Sequence, residues 1–395
     1  MAPTAPRRVA LDVTSLLGPR TGVAALTAAL VEGLAARPDV DLRAFAVTWR
    51  GRRALAAQLP PGVARARLPM AARPLRALWS RSDRPAVEAW TGPVDVVHGP
   101  NFVVPPTRRA ARVVTVHDLT AWHHPEMVDR SSAAYPALVA RALAAGAWVH
   151  APSRFVADEV VDRLGAAPDR VVAIANGAPD LGPDGPGRDA ARGRAVARAE
   201  RYVLAVGTVE PRKDLPGLVT AFDAVAARDP EVRLVLAGAR GWGADALDAA
   251  VAAAAHRDRI TALGYVDEAT RAALLRGASV VAYPSVYEGF GLVPLEAMAA
   301  GVPLVTTRAG AIPEVVGDAA ELVGVGDGDA LAEALDRVLS DEARRAELVA
   351  AGHTRRARFR WSTAVEEVAA LHARAVEDAG QNRRGTFDSM PRSSS

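Results

Sequence analysis

Two glutamates, Glu288 and Glu296, bracket the run Gly289-Phe290-Gly291-Leu292 inside the stretch 283–301, YPSVYEGFGLVPLEAMAAG. An apolar segment, Val280 to Tyr283, reads as a buried strand ending at Pro284. After the turn comes a helix, with Pro294 in its first turn and Gly301 as its stop. Strand, glycine turn and helix in that order aim backbone N–H groups and the positive end of the helix dipole at whatever lies above the turn, which suits a phosphate. A carboxylate accepts hydrogen bonds from paired hydroxyls, so two of them at such a cradle suit a sugar on one side and a nucleoside on the other. The plainer alternative makes Glu296 a partner of the helix dipole and Glu288 a solvated loop acid.

A second cradle carries cations. Tyr202–Val206 reads as a strand, followed by Gly207-Thr-Val-Glu-Pro-Arg-Lys-Asp214 and a helix from Leu215 to Ala227. Among 48 lysines and arginines Lys213 is the only lysine. That exception marks a place where a compact ammonium serves better than a planar guanidinium. Arg212 and Lys213 side by side can neutralise a diphosphate and stabilise it as it leaves, in place of a metal. A solvated pair of surface cations is the alternative.

The run E-GFGLVPL-E resembles the E-x7-E signature of family 4 glycosyltransferases. The resemblance implies an α/β chain of GT-B architecture, two Rossmann-like domains with parallel sheets facing a central cleft, and transfer with retention of configuration. It places Glu288 by the transferred sugar and Glu296 at the ribose of a nucleotide-sugar. Arg212 and Lys213 would hold the diphosphate, helped by the N–H groups around Gly289, Phe290, Gly291 and Leu292. Many relatives carry an arginine directly after the glycine, where this chain has Thr208, so which arginine meets the phosphate stays open. Thr115-Val-His117-Asp118 resembles the family's V-H-D segment, whose histidine lies near the sugar. Gly264-Tyr265-Val266 corresponds to the segment that lines the nucleobase, and Gly22 to the glycine loop facing the donor phosphates. The V-H-D-L-T…H-P-E and G-T-V-E-P-R-K-D-L forms resemble bacterial mannosyl- or rhamnosyltransferases of cell-envelope glycan and glycolipid assembly, which favours GDP-mannose as donor.

The elements needed to position these residues recur along the chain. In the first half, strands are expected at Arg8–Val13, Leu42–Val47, Val94–His98, Val113–Val116 and Trp148–Ala151, with a helix over 23–36 after the first. Strand ends at His98 and His117 lie where an open α/β sheet places its ligands. In the second half, Val232–Ala237, Ile260–Leu263, Val280–Tyr283, Pro303–Thr307 and Glu321–Val323 read as strands. We expect an acceptor-side domain at 1–177, a linker rich in glycine and proline at 178–200, a donor-binding domain at 201–360, a helix at 361–376 returning to the first domain, and a disordered polar tail at 377–395.

Composition excludes several classes. With 395 residues, 24% charged and a net charge of +3, the chain suits two globular domains and no nucleic-acid partner. No cysteine means no disulfide, thiolate metal site or cysteine nucleophile. We read no metal site from His123 and His124 and expect a metal-independent, cofactor-free reaction. No apolar run reaches a membrane span of roughly 20 residues, and the N-terminus lacks a signal peptide's apolar core, so a cytoplasmic location is expected. Arg65–Arg84 carries six arginines and one acid, interleaved with Leu68, Met70, Leu75, Leu78 and Trp79, a pattern suited to peripheral contact with anionic lipid at the inner face of the membrane. Two other classes share the architecture: a nucleotide-sugar epimerase or hydrolase, and a non-catalytic nucleotide-sugar-binding protein. A pair of NAD-binding domains is disfavoured by the missing GxGxxG.

Overall fold

The structure, a computed structural model, describes residues 5–18, 21–66, 68–129, 132–182 and 187–388. The chain forms two compact units. One comprises the described residues up to His123, those from Ser132 to Gly177 and those from Trp361 on; the other comprises His124–Asp129 and Ala178–Arg360.

The first unit is a seven-stranded parallel sheet of β1 (Arg7–Asp12), β2 (Val40–Phe45), β3 (Ala64–Arg65), β4 (Val96–Gly99), β5 (Ala111–Thr115), β6 (Trp148–Ala151) and β7 (Val171–Ala173), in the order β3-β2-β1-β4-β5-β6-β7. The second is a six-stranded parallel sheet of β8 (Tyr202–Val206), β9 (Arg233–Ala237), β10 (Ile260–Gly264), β11 (Val280–Tyr283), β12 (Leu304–Thr307) and β13 (Glu321–Val323), in the order β10-β9-β8-β11-β12-β13. Central strands such as YVLAV and VVAY are buried at every position, as a sheet covered on both faces requires. Strand order reverses between β8 and β11 in the second sheet. A doubly wound sheet binds ligands beyond the carboxyl ends of its strands at that switch. Both chemical stretches leave the sheet there, 207–214 from β8 and 284–291 from β11.

Three expectations change. The segment 178–200 is more than a linker: Arg188–Ala197 is a helix of the second unit. It lies so close to helix Glu268–Gly277 that a Cβ on Gly193 would stand 2.0 Å from the Ala273 carbonyl oxygen. Residues 183–186 of that segment lie outside the described residues. The last helix runs from Trp361 to Asp388, past Val376, because 377–384 (EDAGQNRR) holds no proline and several good helix formers; 389–395 lie outside the described residues. The short edge strands β3 and β7 are additions, too brief to show a period-two pattern.

The last helix puts Ala364, Val365, Val368, Ala369, Leu371 and Ala375 into the first unit's core, in one buried cluster with Val9, Leu11 and Leu30. His372 on the same helix joins a buried polar chain. His372 Nε2 lies 3.0 Å from His98 Nδ1, and His98 Nε2 lies 2.9 Å from Thr115 Oγ1. Thr115 Oγ1 is 3.0 Å from His150 Nδ1, whose Nε2 is 3.0 Å from the Ile174 carbonyl oxygen. That carbonyl only accepts, so His150 Nε2–H donates to it, Thr115 donates to His150, His98 Nε2–H to Thr115, and His372 Nε2–H to His98. These are the directions that neutral imidazoles allow, with His372 Nδ1 buried and without a hydrogen-bond partner among the described residues. Burial lowers the pKa of each from the ordinary 6.5, to about 4 for His150 and about 3 for His372, and well down for His98.

Because the folded pKa values are depressed, the unfolded chain takes up these protons first. The stability contributed by the chain is complete about a unit above the ordinary 6.5 and declines as pH falls through 6.5 toward the folded values, about 4 for His150 and about 3 for His372. Calorimetric stability of wild type should therefore fall between pH 7 and 5.5 with more than one proton bound on unfolding. A pH-independent stability in that interval would contradict the neutral chain.

Candidate active site

The loop after β8 is built by close backbone approach. Gly207 has φ +142°, and a Cβ on Gly238, at the end of β9, would stand 1.7 Å from the Gly207 carbonyl oxygen. A single 3-10 turn, Pro211–Lys213, follows. Asp214, at φ 45°, then caps helix Leu215–Arg228 by accepting from Gly217 N–H at 3.2 Å. This turn presents Arg212 and Lys213 at the sheet's switch point.

The loop after β11 is fixed from both sides. The Glu288 carbonyl oxygen accepts from Ala311 N–H at 2.8 Å. Gly310 beside it has φ +54°, and any Cβ there would stand 2.3 Å from the same oxygen. Arg212 Nη1 donates to the Tyr287 carbonyl at 2.9 Å, and Val286 N–H donates to the Arg212 carbonyl at 2.9 Å. The two loops therefore hold each other.

Their side chains meet at one atom. Glu288 Oε1 lies 2.6 Å from Arg212 Nη1, 2.7 Å from Lys213 Nζ and 2.6 Å from the Tyr283 hydroxyl. Lys213 Nζ also donates to that hydroxyl at 2.6 Å. Burial pushes the Glu288 carboxyl up, but the Arg212 and Lys213 cations, with the hydrogen bonds from Lys213 and Tyr283, outweigh it and hold the group well below the usual carboxylate range. Burial lowers the Lys213 ammonium, with Glu288 opposing. Burial and the adjacent Glu288 charge raise the Tyr283 phenol well above its ordinary value, so it remains a hydrogen-bond donor. Glu210 Oε2 lies 3.4 Å from Arg212 Nη2, so the two half-buried cations are balanced by two carboxylates, Glu288 taking both and Glu210 sharing Arg212.

The helix after the turn is Leu292–Ala300, closed by Gly301 at φ 68°. Its N-cap is Gly291, at φ 97°, which offers no side-chain cap, so the first helical N–H groups are left without a side-chain acceptor from the cap. The Phe290 side chain is buried, its ring 5.7 Å from that of Phe359, so Phe290 offers the turn only its backbone. Glu296, 5% exposed, accepts at Oε1 from Arg271 of helix Glu268–Gly277. Its carboxyl is raised by burial, while Arg271 and, more weakly, Lys213 oppose the shift. Lys213 is thus felt by both glutamates.

Beside Lys213 opens a cavity of ≈ 460 Å³ lined by Gly207, Gly238, Leu247, Val251, Ile260 and Gly264 among others. Gly264 reaches it; Tyr265, 70% exposed, and half-buried Val266 stand next in the chain, outside its lining.

The remaining candidates belong to the first unit. Gly22 opens helix Gly22–Ala35 behind its cap Thr21, which accepts from Ala24 N–H at 3.4 Å; Pro19 and Arg20 of that glycine loop lie outside the described residues. His117 Nε2 lies 2.7 Å from the Pro100 carbonyl oxygen and therefore donates, which leaves Nδ1 as the acceptor of a neutral ring. Burial lowers its pKa, against the Pro100 carbonyl and Asp118, which raise it. Phe102 packs edge-on at 5.6 Å and adopts φ 56°, an uncommon conformation for a non-glycine residue. His123 Nε2 is 2.7 Å from Glu159.

Two residues escaped sequence reasoning. Tyr283 lies within the motif, but an aromatic at the end of an apolar strand reads as core. Arg271 is one arginine among many, with nothing in its spacing to single it out. The basic segment also differs from its expected form: Met70, Leu75 and Trp79 are buried, and Trp79 Nε1 donates to the Pro85 carbonyl at 3.1 Å. Leu68 and Leu78 stay exposed, as do Arg65, Arg73, Arg81 and Arg84 of the same segment; Arg67 lies outside the described residues.

Comparison with known proteins adds to this geometry. A family described as Glycosyltransferase Family 4 matches residues 20–180, and one described as Glycosyl transferases group 1 matches residues 189–355. The chain is 32% identical over 271 residues to the O-antigen chain mannosyltransferase B of Escherichia coli, covering 67% of this chain and 71% of that one. It is 37% identical over 187 residues to the phosphatidyl-myo-inositol mannosyltransferase of Mycolicibacterium smegmatis, covering 46% of this chain and 47% of that one. Its fold matches that of sucrose-phosphate synthase from Thermosynechococcus elongatus with a TM-score of 0.68 at 21% identity, covering 97% of this chain and 100% of that one. The two parallel-sheet units and this likeness make the fold GT-B.

Proposed function

The chain belongs to the group 1 glycosyltransferases and resembles bacterial mannosyltransferases, and from that premise we propose that it moves a hexose, mannose favoured, from a nucleoside-diphosphate sugar to a glycan or glycolipid acceptor with retention of configuration. The observation that carries this reading is the convergence of Arg212, Lys213 and Tyr283 on Glu288, at the foot of a helix whose N-terminus has no side-chain cap.

In this reading the donor's diphosphate takes the place that Glu288 holds between the two cations. Arg212, Lys213 and the N–H groups of Gly289 to Leu292 receive the charge that grows on the departing phosphate. Glu288, released from part of its ion pairing, accepts from a sugar hydroxyl; the role proposed for His117, in the first unit, is as a neutral hydroxyl acceptor through Nδ1. Glu296 binds the ribose, and the base enters from the cavity past Gly264, with Tyr265 and Val266 at its edge. Gly22 lets backbone approach the donor phosphates. The acceptor hydroxyl attacks the face the diphosphate leaves, so the protein's contribution is positioning and stabilisation of leaving charge, without a metal. Similarity to an O-antigen chain mannosyltransferase and a phosphatidyl-myo-inositol mannosyltransferase supports a mannose donor such as GDP-mannose and a glycan or lipid-linked acceptor.

The test is mass spectrometry of acceptor pools incubated with GDP-mannose, UDP-glucose, UDP-N-acetylglucosamine or a dTDP-sugar, followed by NMR of the new linkage. One donor should add a single hexose with its anomeric configuration kept. Free sugar released with no acceptor modified, or an inverted linkage, would contradict the proposal.

Among the described residues no helix is long and apolar enough to cross a membrane. Peripheral contact from a cytoplasmic location would use Leu68 and Leu78 within the exposed arginines Arg65, Arg73, Arg81 and Arg84. Sedimentation with anionic vesicles at low salt should pellet wild type, and Leu68→Ser/Leu78→Ser should weaken pelleting. Wild type left in the supernatant would exclude the contact.

A further inference from the structure

Glu296 is almost wholly buried, yet only one of its oxygens is used. Oε1 accepts from Arg271 Nη2, while Oε2 is buried with no hydrogen-bond partner among the described residues. Arg271 Nε is likewise buried and unmatched. A buried carboxylate oxygen left bare is unfavourable unless a ligand completes it. The charged groups that bear on Glu296 are Arg271, from helix Glu268–Gly277, and Lys213, from the turn after β8.

We propose that Arg271 is a positioning residue that makes the enzyme prefer a ribonucleotide over a 2′-deoxyribonucleotide donor, by fixing the Glu296 carboxylate with Oε1 engaged and Oε2 presented to the ribose diol. This rests on the reading of Glu296 as the ribose site. With Oε1 occupied, the two lone pairs of Oε2 match the 2′- and 3′-hydroxyls of one ribose. A donor lacking the 2′-hydroxyl leaves one of them unmet in a buried place, and a site built to hydrogen-bond a hydroxyl rejects the analogue that lacks it. Without Arg271 the carboxylate turns freely. It also loses the cation that opposes the effect of burial on its titration, so it protonates at higher pH.

The experiment is calorimetric titration of wild type, Arg271→Ala, Arg271→Gln, Arg271→Lys and Glu296→Gln with GDP, UDP and their 2′-deoxy forms between pH 6 and 9. Wild type should prefer the ribonucleotide by about tenfold or more, the size of one hydrogen bond to a charged group. Arg271→Ala and Arg271→Gln should lose that preference, with deoxy binding nearly unchanged and ribonucleotide binding weakening further as pH falls. Arg271→Lys should restore most of it. If the Arg271 variants weaken both nucleotides equally, or keep the preference with an unchanged pH profile while Glu296→Gln abolishes it, the role of Arg271 is overturned. If wild type binds none of these nucleotides, or it and Glu296→Gln bind ribo and deoxy forms alike, the ribose reading of Glu296 has itself failed.

Discussion

Lys213→Ala is expected to lower turnover roughly 10²–10³-fold, the loss that follows deletion of one preorganised electrostatic group, with the fold intact. Its Nζ sits 2.7 Å from Glu288 and 2.6 Å from the Tyr283 hydroxyl, and the residue lines the cavity beside β8. Removing it leaves Arg212 on Glu288 Oε1, so the carboxylate keeps a partner and the core is untouched. The charge lost is the one that, in the proposed reading, would face a leaving diphosphate. Lys213→Arg should rescue poorly, because a planar fork cannot occupy the narrow space between Glu288 and Tyr283 as a compact ammonium does. Steady-state rates alongside thermal melts check both variants. Wild-type turnover in Lys213→Ala would remove this residue from the chemistry.

Glu288→Gln should be harmful in two separable ways. Turnover should fall by orders of magnitude, since the group that the proposed reading sets against the sugar loses its charge. Stability should fall as well, because Lys213 loses the carboxylate at 2.7 Å while Arg212 keeps Glu210, 3.4 Å away, a loss of up to about 3 kcal/mol, the low end for breaking a buried pair because both cations are partly exposed. The wild-type carboxyl is depressed below its ordinary 4.5, so its contribution is present above pH 4.5 and is lost as pH falls further. The melting-temperature gap between wild type and variant should accordingly be widest at neutral pH and narrow below pH 4.5. A nucleoside diphosphate, supplying new negative charge to the same cations, should restore much of the variant's stability. Equal melting temperatures at pH 7 would show that Glu288 is not the counter-ion of this pair.

The strand, turn and helix that carry the two glutamates were legible because glycine and proline carry positional meaning. Gly291 and Gly301 do adopt positive φ at the two ends of helix Leu292–Ala300, and Pro294 stands in its first turn. The alternation of apolar strands and glycine loops likewise announced two doubly wound sheets. Long-range partners were not legible. Tyr283 and Arg271 become functional neighbours only because Glu288 and Glu296 turn toward them. The His98, His150 and His372 chain joins residues up to 274 positions apart, and no local pattern encodes that. Trp79 misled for the opposite reason: an aromatic among arginines reads as a surface anchor, yet its helix turns it inward. The segment 188–197 read as linker on composition, because its glycine, Gly193, serves close helix packing rather than flexibility.

The most direct test of a nucleoside-diphosphate sugar held by Arg212 and Lys213 is a thermal-shift panel on wild type and Lys213→Ala with GDP-mannose, UDP-glucose, UDP-N-acetylglucosamine, a dTDP-sugar and NAD. One nucleotide-sugar should raise the melting temperature of wild type and leave that of the variant unmoved. A shift produced by NAD alone, or one indifferent to the loss of Lys213, would contradict the assignment of the donor site.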